Sequence, residues 1–187
     1  MKYSLTAADI AVSTADSAAD VDIVDVVGNK SDTTAGTSLV ALLKQIIATK
    51  PIIVSRTAAN LPATAQTAYF TVTGRVLVTN IVGEVTTVIQ AQACNIDLWS
   101  NPTVGADVAL CAVADINADA VGTLYTITGT LADAIVPTTS GAVKSQANAV
   151  IVTAGTIDLK TSATNTGATK WTLHYIPLDA SSTVVTA

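Results

Sequence analysis

The chain has 187 residues, which suits one domain of ordinary size with an appendage; half of them are apolar, only 4% aromatic and 12% charged, against about a quarter charged in average soluble proteins. No apolar run approaches the roughly 18 residues needed to cross a bilayer. Nine basic residues, scattered singly under a net charge of −5, leave no basic stripe to neutralise phosphates, so membrane insertion and nucleic-acid binding are both set aside.

Residues 1–36 read as an extended attachment arm: six aspartates and two lysines lie among Ala, Ser, Thr and Val, too poor in large apolar groups to fold alone. Asp9, Asp16 and Asp20 interrupt any stretch that would serve as a signal-peptide core, so synthesis and assembly in the cytoplasm are expected. Within the arm, Val21, Ile23, Val24, Val26 and Val27 form a β-branched run that ends at Gly28-Asn29. Such a run becomes a strand once a partner supplies a sheet edge, and these five residues are the expected attachment contacts. The plainer reading is an acidic leader without fixed structure.

The pattern changes at residues 37–50. Leu39, Leu42, Leu43, Ile46 and Ile47 follow one helical face, with Lys44 and Gln45 opposite. Thr37 or Ser38 caps the start, Lys50 suits the C-terminal dipole and Pro51 stops the helix. About a dozen helical residues are marginal alone in water, so the stripe needs a cover. A short bundle between identical chains, with three copies as first choice, is favoured over packing on the chain's own β-domain.

Residues 51–68, with Pro51, Asn60, Pro62 and several Ala and Thr, suggest an extended linker. From Tyr69 the period becomes two. Tyr69 to Thr73, Arg75 to Thr79, Val85 to Leu98, Val108 to Cys111, Gly122 to Gly129, Ala149 to Val152, Gly155 to Lys160 and Lys170 to Ile176 read as strands punctuated by Gly, Asn, Pro or Ser. Seven to nine strands without interleaved helices place residues 69–187 in a mainly β class, as an antiparallel jelly-roll-like β-sandwich.

Few residues carry recognisable chemistry. His174 is the lone histidine and alternates with Trp171, Leu173 and Tyr175, so it belongs to the opposite, polar or interfacial face of its strand. No nucleophile elbow, zinc-protease motif or phosphate loop occurs, and Glu84 is the single glutamate, so an enzyme is not expected and neither catalytic nor cofactor-binding residues are assigned. Cys94 and Cys111 lack metal or redox spacing and read as buried free thiols, although adjacent strands in register would allow a disulfide. Asp115, Asn117 and Asp119 alternate as a calcium loop begins, but Ala120 and Thr126 stand where glycine and glutamate are needed. A capped turn is the simpler account, and no metal is assigned. Trp99 and Trp171 are expected in the core rather than as carbohydrate platforms.

Two stretches carry a resemblance. Val26 to Ile46, with its Gly28-Asn29-Lys30-Ser31-Asp32 turn before Leu42-Leu43-Lys44-Gln45, and Phe70 to Thr79 continuing through Gly83 to Thr87, resemble segments of tailed-bacteriophage virion proteins. That resemblance implies a structural protein of the virion, made in the host cytoplasm. It would be a capsid decoration or head fibre held by its arm to the major capsid or another virion protein. The alternative is a tail-associated or fibre module that binds a host-surface glycan. In either case a low-charge surface points to burial between copies.

Overall fold

The computed structural model describes residues 50–187, so the arm, the amphipathic helix and every attachment and oligomerisation residue named above lie outside the described residues. Pro51–Ala187 is a compact unit. It contains twelve strands: β1 Ile52–Asn60, β2 Gln66–Thr73, β3 Val76–Thr87, β4 Asn95–Pro102, β5 Val108–Ala109, β6 Ala114–Asp115, β7 Leu124–Thr126, β8 Val136–Thr138, β9 Val150–Val152, β10 Gly155–Thr161, β11 Ala168–Pro177 and β12 Thr183–Thr186. No helix occurs among the described residues.

The strands form two antiparallel sheets. Sheet A runs β1-β11-β3-β7-β8, with β9 on the same edge of β3 as a separate short partner, and sheet B runs β12-β2-β10-β4-β5, with β6 also on β4. Taking β9 or β7 as the fourth strand of sheet A, the orders β1-β11-β3-β9 and β2-β10-β4-β5 follow the jelly-roll winding, in which the chain alternates between sheets and its late strands return between its early ones. The expected jelly-roll-like sandwich is therefore the fold.

One hydrophobic cluster fills the space between the sheets. Sheet A contributes Val76, Val78, Ile81, Val85, Trp171, Leu173 and Tyr175, and sheet B contributes Phe70, Val72, Ile96, Leu98, Ile157, Leu159 and Val184. Period-two alternation places these residues inward and their neighbours outward. Trp171 is opposite Gly83, which is in turn opposite Tyr125, so the two rings flank a glycine in one cross-strand row. The rings stack with centroids 6.2 Å apart, and the Trp171 indole donates to Thr169 Oγ1 at 3.0 Å.

The expected linker over 51–68 is corrected. Ile52 to Asn60 pairs with β11 from Ile52↔Tyr175 to Asn60↔Ala168, and Gln66 already belongs to β2. Packing explains the difference: Val54 lies against the core, Leu61 is buried, and the Arg56 guanidinium sits 4.1 Å from the centre of the Tyr69 ring. The β-branched Ile52-Ile53-Val54 run favours a strand, and pairing with β11 carries it on through the less strand-prone residues to Asn60. The strand total also exceeds the expected seven to nine, because β1, β6, β8 and β12 lie outside the stretches read as strands, and β6 and β8, with two and three residues, are too short for alternation to register.

Candidate functional site

The outward faces of the two sheets differ in chemistry. On sheet A, the outward residues of β11 are Lys170, Thr172, His174 and Ile176, since Trp171, Leu173 and Tyr175 are buried. Cross-strand register then assembles an apolar row: Ile176 faces Leu77, and Leu77 faces Ile151. Ile53 lies opposite His174, and Val82 opposite Thr172. Ile53 and Ile151 are 61% and 62% exposed, a costly exposure for large β-branched side chains, although His174 and Asn80 interrupt the apolar set between Ile53 and the Ile176-Leu77-Ile151 row. Charge reaches this set of outward side chains at Lys170 and Glu84, which neutralise each other at 2.7 Å, and Ser55 and Thr172 share a hydroxyl contact at 3.1 Å.

Sheet B presents a polar and aromatic group. Trp99 is opposite Asp158, Asp97 opposite Lys160, and Asn101 opposite Thr156. Because Ile96, Leu98, Ile157 and Leu159 point into the core, this second set points out. The Trp99 indole donates to Asp97 Oδ2 at 2.8 Å, and Lys160 Nζ stands 4.6 Å from the centre of the same ring, a cation over an aromatic face. Asp158 is the most enclosed member. Its Oδ2 accepts from Gln66 Nε2 at 2.9 Å and from Asn101 Nδ2 at 3.2 Å, while Oδ1 is buried without a partner. Asp107 takes a longer contact from Gln66 at 3.4 Å.

Trp99 therefore departs from expectation. It is half-buried on an outer face, whereas Trp171 is in the core as expected. A signal for this existed in the sequence: Ile96 and Leu98 fix the inward parity of β4, which leaves Asp97, Trp99 and Asn101 outward. His174 occupies the outward face that its alternation indicated.

The remaining candidates serve the fold. Cys94 and Cys111 are buried free thiols. Cys111 Sγ accepts from Leu98 N at 3.3 Å, and burial pushes its pKa up to about 11, partly offset by that hydrogen bond. In the Asp115 to Asp119 stretch, Asp115 Oδ1 accepts from Asn117 N at 3.1 Å in a side-chain-capped turn. Asp119 accepts from the Tyr125 hydroxyl at 2.6 Å. Burial first, and this hydrogen bond second, raise the Tyr125 pKa. Among the described residues no group of three His, Cys, Asp or Glu side chains is placed to hold a metal ion.

No protein-family model matches the chain, and no curated protein matches it. A solved structure of infectious bursal disease virus, Gx strain, aligns with 72% of this chain and 33% of its own at 14% identity and a TM-score of 0.21. The aligned part thus spans a third of that viral chain, and so low a score carries no functional argument.

Proposed function

We propose that this chain is a non-enzymatic structural protein of a tailed-bacteriophage virion, assembled from several identical copies. The outer face of sheet A carries this reading, because Ile53, Leu77, Ile151 and Ile176 lie on one outward face whose charged pair, Lys170 and Glu84, is mutually neutralised. Each large aliphatic side chain moved from water into a packed contact contributes about 1.5–3 kcal/mol. A low overall charge gives little opposing repulsion. Compact jelly-roll sandwiches suit such packing, since broad sheet faces meet neighbours without rearrangement.

The finer assignment is a capsid decoration or head-fibre protein in three copies, joined through Leu39, Leu42, Leu43, Ile46 and Ile47. Val21, Ile23, Val24, Val26 and Val27 would bind the major capsid or another virion protein. The resemblance of Val26 to Ile46 and of Phe70 to Thr87 to phage virion segments supports it. Adhesion would come from main-chain pairing of the arm, multiplied by linked copies that raise effective concentration.

Deletion of residues 1–36, followed by mass spectrometry of purified particles, tests the attachment. The truncated chain should remain soluble but be missing from particles, and retained occupancy would overturn the arm assignment. In the full-length protein, Ile53→Lys with Ile151→Lys should weaken self-association; an unchanged assembly would remove sheet A from the interface.

A further inference from the structure

We propose that the outer face of sheet B binds a neutral carbohydrate, with Trp99 as the stacking surface and Asp97, Asp158, Asn101 and Gln66 as hydrogen-bonding partners. A pyranose ring presents a C–H face that packs on an aromatic plane and a rim of hydroxyls that both donate and accept. Recognition therefore needs an exposed or coverable indole beside planar acceptors and donors. Adjacent strands bring that set together, since Trp99 is opposite Asp158 and two residues from both Asp97 and Asn101.

Two observations separate this group from a polar network that only supports the fold. First, Asp158 is 3% exposed, and its Oδ1 lacks a partner although Oδ2 takes two amides. Buried carboxylate oxygens are ordinarily satisfied, so acceptor capacity is left over at the residue opposite Trp99. Second, the cover on the ring is Lys160 Nζ at 4.6 Å, the end of a long exposed side chain that can swing away at little cost. Displacing it opens the aromatic face.

Charge selects the ligand class. Asp97 is bonded to Trp99, Asp158 and Asp107 share Gln66, and Lys160 stands over the Trp99 ring, so three carboxylates outweigh that cation, uronic and sialic acids are repelled and neutral hexoses or N-acetylhexosamines are favoured. The inference uses sheet B alone. A monomer that binds sugar would keep it while removing the assembly reading, and an oligomer blind to sugars would do the reverse.

The test titrates the full-length protein with glucose, galactose, mannose, N-acetylglucosamine and glucuronic acid, reading tryptophan fluorescence and saturation-transfer NMR. At least one neutral sugar should saturate with Kd in the millimolar range, and glucuronic acid should bind more weakly. Trp99→Ala should weaken binding about tenfold, Asn101→Ala should weaken it severalfold, and Lys160→Ala, which uncovers the ring, should tighten it. No saturation by any neutral sugar to about 100 mM, or tighter binding of glucuronic acid, would overturn the proposal. So would wild-type affinity in Asn101→Ala or in a folded Trp99→Ala.

Discussion

Gly83→Ala tests how the core of sheet A is built. Gly83 pairs with Trp171 on one side and Tyr125 on the other, and a Cβ added there would stand 2.7 Å from Trp171 Cζ2 and 2.8 Å from both Cε2 and Cη2. Ordinary carbon contacts are about 3.5–4.0 Å, so the indole would have to retreat by close to an ångström. It has little freedom to do so: Trp171 is 1% exposed, its ring stacks with Tyr125, and its nitrogen is tied to Thr169. Overpacking of this kind costs about 1–3 kcal/mol, and a pinned ring places the cost near the upper end. For a unit of this size that corresponds to a fall in Tm of about 8–12 °C. Thermal melts followed by tryptophan fluorescence and near-ultraviolet circular dichroism would show it. Gly141→Ala provides the contrast, since nothing lies within 4 Å of its added Cβ and its cost comes from a φ of +74° alone. A Gly83→Ala melt within about 1 °C of wild type, or no lower than that of Gly141→Ala, would refute the reasoning.

Other expectations follow from single contacts. Gly129→Ala combines a φ of +83° with a Cβ that would overlap Asn148 O and should cost about 3 kcal/mol or more in a denaturant melt; a smaller loss than Gly141→Ala would contradict this. Asp179 accepts from Arg75 Nη2 at 2.7 Å and from Arg75 N at 3.0 Å, and the Arg75 hydrogen bonds hold its carboxyl below the usual range. A depressed folded-state pKa adds stability above the unfolded value that disappears as pH falls through the folded one. Asp179→Asn should therefore lower Tm slightly at neutral pH and at low salt, with the difference vanishing in acid below the ordinary carboxylate range; a pH-independent difference would exclude the ion pair as its source. Cys111, pushed up to about 11 by burial, should react with a thiol reagent at pH 8 only after unfolding, and rapid labelling of the native protein would show that the site opens.

Much of the β-domain is legible in the sequence because its longer strands obey the alternation that burial imposes. Lys170 to Ile176 is an example, with Trp171, Leu173 and Tyr175 turned inward and His174 outward. Strand β1 is only partly legible, since Ile52-Ile53-Val54 is a β-branched run but stands beside Pro51. Its Arg56-Thr57-Ala58-Ala59-Asn60 stretch has little intrinsic strand preference, and its pairing is supplied by β11, more than a hundred residues later. The two tryptophans show how residue type misleads where parity informs: both are large and aromatic, yet Trp99 shares the face of Asp97 while Trp171 shares that of Leu173. Neither sheet face could be assembled from sequence alone, because Ile53, Leu77, Ile151 and Ile176 come from four strands whose neighbours are set by the jelly-roll winding.

Sedimentation of the full-length protein across a range of dilutions tests the central claim most directly, namely that apolar surface on this chain is covered by further copies of itself. A particle several times the 18.9 kDa chain mass, reduced toward that mass by Ile53→Lys with Ile151→Lys, is the predicted result. A species that stays at the mass of one chain even at the highest concentration would contradict it.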